Sequence, residues 1–300
     1  ETADLEQLTA AQIKGMSTDN IKNLSTGQVA ALKYTQVAAL TINQVKEMTT
    51  AQVEKLSSDN IKGLSAAQLG AMSTDQIKAI ETGDLEQLSA AQIKGISADG
   101  IKAFTTGQAA ALKFAQIAAL TTAQVAALET EDLVKLNTTH IGALTAAQIK
   151  ALTTDQAANL TTAQFGKLSA TQIAALTTDN VAKLSTGNIA ALTTAQAKAL
   201  TTAQVKALDS AQIKALETAD LQAFSAVQIK ALAAGQIANG LQQAQIENLT
   251  TAQVASLGTD QIQALSSTQV GYLSSGQVRS LTSAQIGAMS SDQIKQLKFA

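Results

Sequence analysis

Leu200-Thr201-Thr202-Ala203-Gln204-Val205-Lys206-Ala207 is a run of eight residues that starts again at once with Leu208. The same octad, with substitutions, fills the chain from Leu8 onward, so internal repetition is the feature to read first. The consensus is Leu, Ser/Thr, Ser/Thr, Ala/Asp, Gln, Ile/Val, any residue, then Ala/Lys/Gly. There are 36 full units, with Leu at position one in 28, Ser or Thr at position two in 26 and Gln at position five in 27. Position six is always apolar, and Ala there in three units is its smallest form.

The spacing predicts one short helix per octad. With the position-two hydroxyl as N-cap, position five is the third helical residue, and Ser/Thr-x-x-Gln is a capping box. The hydroxyl accepts from the Gln amide, and the Gln side chain accepts from the cap amide. Positions one and six then fall on either side of the cap, where a hydrophobic staple is made. Asp19, Asp59 and Asp179 at position four place acid in the first turn, where the helix dipole favours it. About six residues remain per helix, fewer than two turns. Such helices are not stable alone, so each must stack on others, as in a solenoid whose units pack on their neighbours. Gly15, Gly63 and Gly95 at position eight suit left-handed helix stops.

A β-solenoid is the rival fold. It is disfavoured because Ala, Gln, Leu and Lys prefer helix to strand. The odd spacing from one to six would also put the two apolar positions on opposite faces of a strand. The expected fold class is therefore all-α, a superhelix of very short helices forming a single continuous repeat array over residues 1–300. One unit, Leu232 to Gly240, has nine residues and ends in Asn239-Gly240, a turn signal that predicts a local bulge or tight turn. A longer period is superimposed: Glu1 to Glu47 is echoed by Glu81 to Ala127, 80 residues on. The chain starts and stops within a unit, as a fragment of a longer array would.

Composition narrows the function. Apolar residues make up 46% of the chain but aromatics only 2%, and Pro, Cys and Trp are absent. A net charge of −2 with dispersed lysines gives no basic patch for nucleic acid. No apolar run approaches the ~18 residues of a membrane span, and no signal peptide opens the chain. His140, at position five, is the sole histidine and cysteine is absent, so a zinc cage or a Cys/His nucleophile lacks its partners. It reads as a variant capping residue. No catalytic, cofactor-binding or metal-binding residue is assigned, and no cofactor is expected.

Three further patterns stand out. Where position two is Glu, position five is Asp: Glu1/Asp4, Glu81/Asp84, Glu129/Asp132 and Glu217/Asp220. One Glu and one Asp are too few for calcium, and the favoured reading is a cap shifted to the position-three Thr82 or Thr218. Rows of Ser and Thr at position three could face a glycan or ice. Lys33-Tyr34, Lys113-Phe114 and Lys298-Phe299 break the capping rule and put a ring at position three. Tyr34, Phe114 and Phe299 are thus candidate partner contacts, and the favoured reading is a ring lying over a corner of the core. Phe104, Phe165 and Phe224 occupy apolar positions and read as core.

The run of Leu-[Ser/Thr]-x-x-Gln-[Ile/Val]-x-x units resembles the octapeptide arrays of some very large bacterial surface or secreted proteins described as adhesin-like. The resemblance covers the whole chain and carries no catalytic signature. It implies an extracellular or cell-surface spacer, or an adhesive segment whose partners are its own neighbouring repeats and other surface proteins or glycans.

Overall fold

The structure, a computed structural model, describes residues 2–298. It is all helical, with 36 α-helices and one 3₁₀ helix following one another along the chain. The predicted caps are met by α-helices of four to seven residues, as at Ala170–Ala175, Thr178–Lys183 and Thr202–Ala207, except in the unit beginning at Leu56, where the 3₁₀ helix Ile61–Gly63 has three residues. The chain falls into two compact units, Glu1–Ala151 and Leu152–Ala300, and the same construction is found in each.

The helix starts are those the octad predicts. In the unit beginning at Leu200, the Thr201 N–H donates to Gln204 Oε1 at 2.8 Å, and the Gln204 N–H donates to Thr201 Oγ1 at 3.2 Å. Where the hydroxyl is missing, half the box survives: the Lys33, Ala233 and Gly258 amides still donate to the Gln carbonyl oxygen three residues on.

The corners are not made by left-handed glycines. No described residue has positive φ. Most helices end with a tightened i→i−3 bond, such as Leu176 N–H to Ile173 O at 3.2 Å. Two extended residues follow: Leu176 at φ −56, ψ 140 closes one helix, and Thr177 at φ −70, ψ 160 caps the next. This two-residue elbow is open to any L-residue, so position eight is free for Ala or Lys. Glycine there serves packing instead. A Cβ on Gly95 would lie 2.5 Å from both the Cβ and the carbonyl oxygen of Ala66, and one on Gly63 would lie 2.5 Å from the Tyr34 carbonyl oxygen. At Gly15 there is open space.

Within each unit, a helix packs on the third one before it and the third one after. Ala66–Ala71 lies against Ala90–Gly95, which lies against Phe114–Ala119. In the second unit Thr178–Lys183 lies against Thr202–Ala207, and that helix against Ala226–Ala231. Each unit is therefore a three-sided coil of about 24 residues per turn. With helices stacked about 9 Å apart, each turn rises by about that much. Positions one, five and six point inward. Ile173, Val181 and Ile189 are fully buried, Leu176 and Leu184 almost so, and positions three and four face outward. Phe104, Phe165 and Phe224 are in the core as expected.

The nine-residue unit makes no turn at Asn239-Gly240. Its helix, Ala234–Gly240, is simply longer at seven residues. Gly240 sits where a Cβ would come within 2.9 Å of Ile213, so the absence of a side chain lets the longer helix pack.

Candidate functional site

The most distinctive feature lies at position five. Capping explains only one end of the Gln side chain. The other end, Nε2, is buried and donates across the coil. Gln204 Nε2 donates to the carbonyl oxygens of Ile173 at 2.9 Å and Leu176 at 2.7 Å. Gln44 does the same to Ile13 and Met16 at 2.9 and 2.8 Å. These acceptors lie at the end of the helix four back and at the elbow that follows it. They are among the C-terminal carbonyls that every helix leaves unpaired. One carboxamide thus caps its own helix at the N-terminus and closes another at the C-terminus, using its acceptor and both donors. Repeated every eight residues, it forms a spine of buried Gln, at most 8% exposed from Gln36 through Gln76 and again from Gln196 through Gln293.

The spine tolerates the extra residue of the long unit. Gln245, Gln253 and Gln261 reach back 32 and 29 residues, where other glutamines reach 31 and 28. By Gln277 the spacing has returned to 31 and 28.

Where position five is not Gln, the spine is weakened or interrupted, except at Asn60, whose Nδ2 still reaches the carbonyl oxygens of Val29 at 3.4 Å and Leu32 at 3.1 Å. Asn180 and Asn188, one methylene shorter, each hold a single carbonyl, Leu152 at 3.1 Å and Leu160 at 3.0 Å. The Asp units are more disturbed. The cap is not shifted to Thr82 or Thr218: the N-caps are Glu81, Glu129 and Glu217 themselves, and none makes a side-chain cap bond. Asp84 accepts from the Ser58 hydroxyl at 2.5 Å. Asp132 Oδ2 and Asp220 Oδ2 are buried with no hydrogen-bond partner. Burial pushes the Asp132 carboxyl up to about 6, helped by Glu129 and Glu131. Burial likewise pushes Asp220 up to about 6, helped by Glu217. Asp84 is raised by burial against the opposing pull of Ser58.

His140 is also buried. Its backbone N–H donates to Asn137 Oδ1 at 2.9 Å, its ring Nε2 lies 3.4 Å from Asn137 Nδ2, and Nδ1 has no partner. Burial lowers its proton affinity. The variant-cap reading places it correctly, but the cap itself is Asn137. Among the described residues, no three His, Cys, Asp or Glu side chains gather as a metal site would need.

Of the three candidate contacts, Tyr34 and Phe114 stand on the surface, 53% and 54% exposed. Phe299 falls outside the described residues. Among the described residues, no helix is long and apolar enough to cross a membrane.

The fold and its spine define an all-α solenoid of octapeptide repeats whose repeating unit is best drawn across the elbow: helix-end Ala, elbow Leu, capping Thr, and Gln three residues later. That string, Ala-Leu-Thr-Thr-Ala-Gln, stands at 119–124, 191–196 and 199–204. The ALTTAQ repeat family matches the chain at residues 1–34, 45–79, 77–114, 125–162, 158–186, 181–218, 213–251, 239–275 and 271–298, and the protein belongs to that family. No curated protein matches the chain.

Proposed function

We propose that this array is a non-catalytic spacer or stalk segment of a large bacterial surface or secreted adhesin-like protein, working outside the cell. The observation that supports this reading is the spine. Each turn of either unit is fastened to the one below by Gln side chains that are spread evenly along the array. Tension along the coil would load up to three such ties per turn together, an arrangement suited to holding a distal module at a distance. Uniform repeats also let length change by whole turns without disturbing any special unit.

The test is deletion from the parent protein. Removing multiples of 24 residues from within one unit should shorten the reach of the distal module and leave its activity intact. Complete loss of activity in a variant that still folds would overturn the spacer reading. A second reading, a binding module, is favoured by the exposed Tyr34 and Phe114 rings. Replacement of both by Ser should then abolish capture of a surface protein or glycan, whereas a spacer should not notice the change.

A further inference from the structure

We propose that Asp220 closes its coil as a neutral carboxylic acid, its O–H donating to a backbone carbonyl that Gln would otherwise hold, so that this joint tightens in acid and loosens as the acid ionises. The register carries the argument. Asp220 occupies the position from which Gln212 holds Val181 and Leu184, and Gln228 holds Ala197 and Leu200. The corresponding carbonyls for Asp220 are those of Ile189 and Leu192. Among the described residues nothing donates to the Leu192 carbonyl, and Ile189 O receives only the backbone bonds that end its own helix. Asp220 is 3% exposed and its Oδ2 has no partner.

An ionised carboxylate offers only acceptors, so in this dry corner it would set oxygen against oxygen. The neutral acid supplies the missing donor, and the proton exchanges with solvent. Asp132 repeats the pattern: a buried, unpartnered Oδ2, with no donor to the carbonyl of Phe104.

The charges around Asp220 agree. Glu217 caps the same helix and favours the neutral form. The two helices packed on it, Thr194–Ala199 and Gln243–Glu247, carry one charged residue each, Lys198 and Glu247, both exposed. The helix whose end it faces, Thr186–Ala190, carries none. Because the folded state holds the proton more tightly than the unfolded chain, the contribution is full below the ordinary carboxylate value. It is lost as pH rises through about 6.

The test is hydrogen exchange of the whole chain between pH 4.5 and 7.5, corrected for intrinsic rates and read on peptides spanning 186–193 and 217–221. Wild type should lose about tenfold in protection across that range. Asp220→Asn, which can donate as Asn188 does, should remain protected throughout. Equal pH slopes in the two proteins would overturn the proposal, and so would an Asp220→Asn variant that is unprotected at both pH values. Millimolar calcium chloride at pH 7.5 is the third arm. If it restores wild-type protection, a cation fills the corner and the proton assignment fails; no response supports the proton.

Discussion

Gln204→Glu separates the two jobs of the position-five side chain. A capping box accepts Glu as readily as Gln, and Glu keeps an oxygen for the Thr201 amide, 2.8 Å from Gln204 Oε1 in the wild type. It loses the donors that hold Ile173 and Leu176. The Leu176 carbonyl has no other partner, whereas Ile173 O keeps the Leu176 N–H at 3.2 Å. Leaving one buried carbonyl unpaired costs about 1–3 kcal/mol, and a carboxylate facing it adds to that. The ceiling is set by protonation. Neutralising a Glu of ordinary affinity at pH 7.5 costs about 4 kcal/mol, beyond which the side chain would take up a proton instead. The expected loss is therefore about 3 kcal/mol, or about a hundredfold in local opening. A repeat array need not unfold in one step, so the assay is residue-level hydrogen exchange over 173–177 and 201–205. Gln204→Met, of similar length but with neither cap nor donor, should be at least as damaging. If Gln204→Glu stays within about 0.5 kcal/mol of wild type, the side chain is only a cap and the spine contributes nothing.

Gly95→Ala should destabilise by about 1–3 kcal/mol, since its Cβ would meet Ala66 at 2.5 Å. Gly15→Ala, in open space at negative φ, should be neutral or stabilising by up to about 1 kcal/mol; thermal melts of both variants decide this. His140→Gln should restore a donor toward the Ala109 and Leu112 carbonyls and stabilise by about 1 kcal/mol in denaturant titrations at pH 7.5. Burial lowers the proton affinity of His140, so its contribution is present above the ordinary His value of about 6.5 and is lost as pH falls through the depressed one. The gain from His140→Gln should therefore grow on acidification. Tyr34→Ser and Phe114→Ser, at exposed rings, should change stability by no more than about 0.5 kcal/mol.

Helix starts, core positions and repeat length were legible because they follow from short-range rules: hydroxyl at two, Gln at five, apolar residues at one and six. The spine was not, because its partners lie 28 and 31 residues away, a distance fixed only once three helices make a turn. A signal was nonetheless present. Capping alone would admit Glu at position five, yet no unit has it; Gln is replaced only by Asn, Asp, His or Gly. Strict exclusion of Glu marks a position where the N–H₂ group is in use. The corners were misread for a related reason. Glycine at position eight suggested left-handed stops, but its role at Gly63 and Gly95 is close contact between stacked helices. Asn239-Gly240 likewise has a turn signature that coil packing overrides, and the residues extend a helix instead. The Glu/Asp pairs looked like a shifted cap because the burial of Asp132 and Asp220 depends on the same long-range stacking.

The three-sided coil turns duplication length into compass bearing. The block that carries Lys33-Tyr34 recurs 80 residues later as Lys113-Phe114, an offset of ten octads. Ten octads are three full circuits and one side more, so the copied ring comes to rest on the adjacent side of the first unit instead of directly above its ancestor. Copying nine or twelve octads would draw a straight stripe; copying ten winds the ornament around the column, a side at a time. Two rings so placed cannot grip one flat surface together. Any contact made through one ring would be turned away from any contact made through the other.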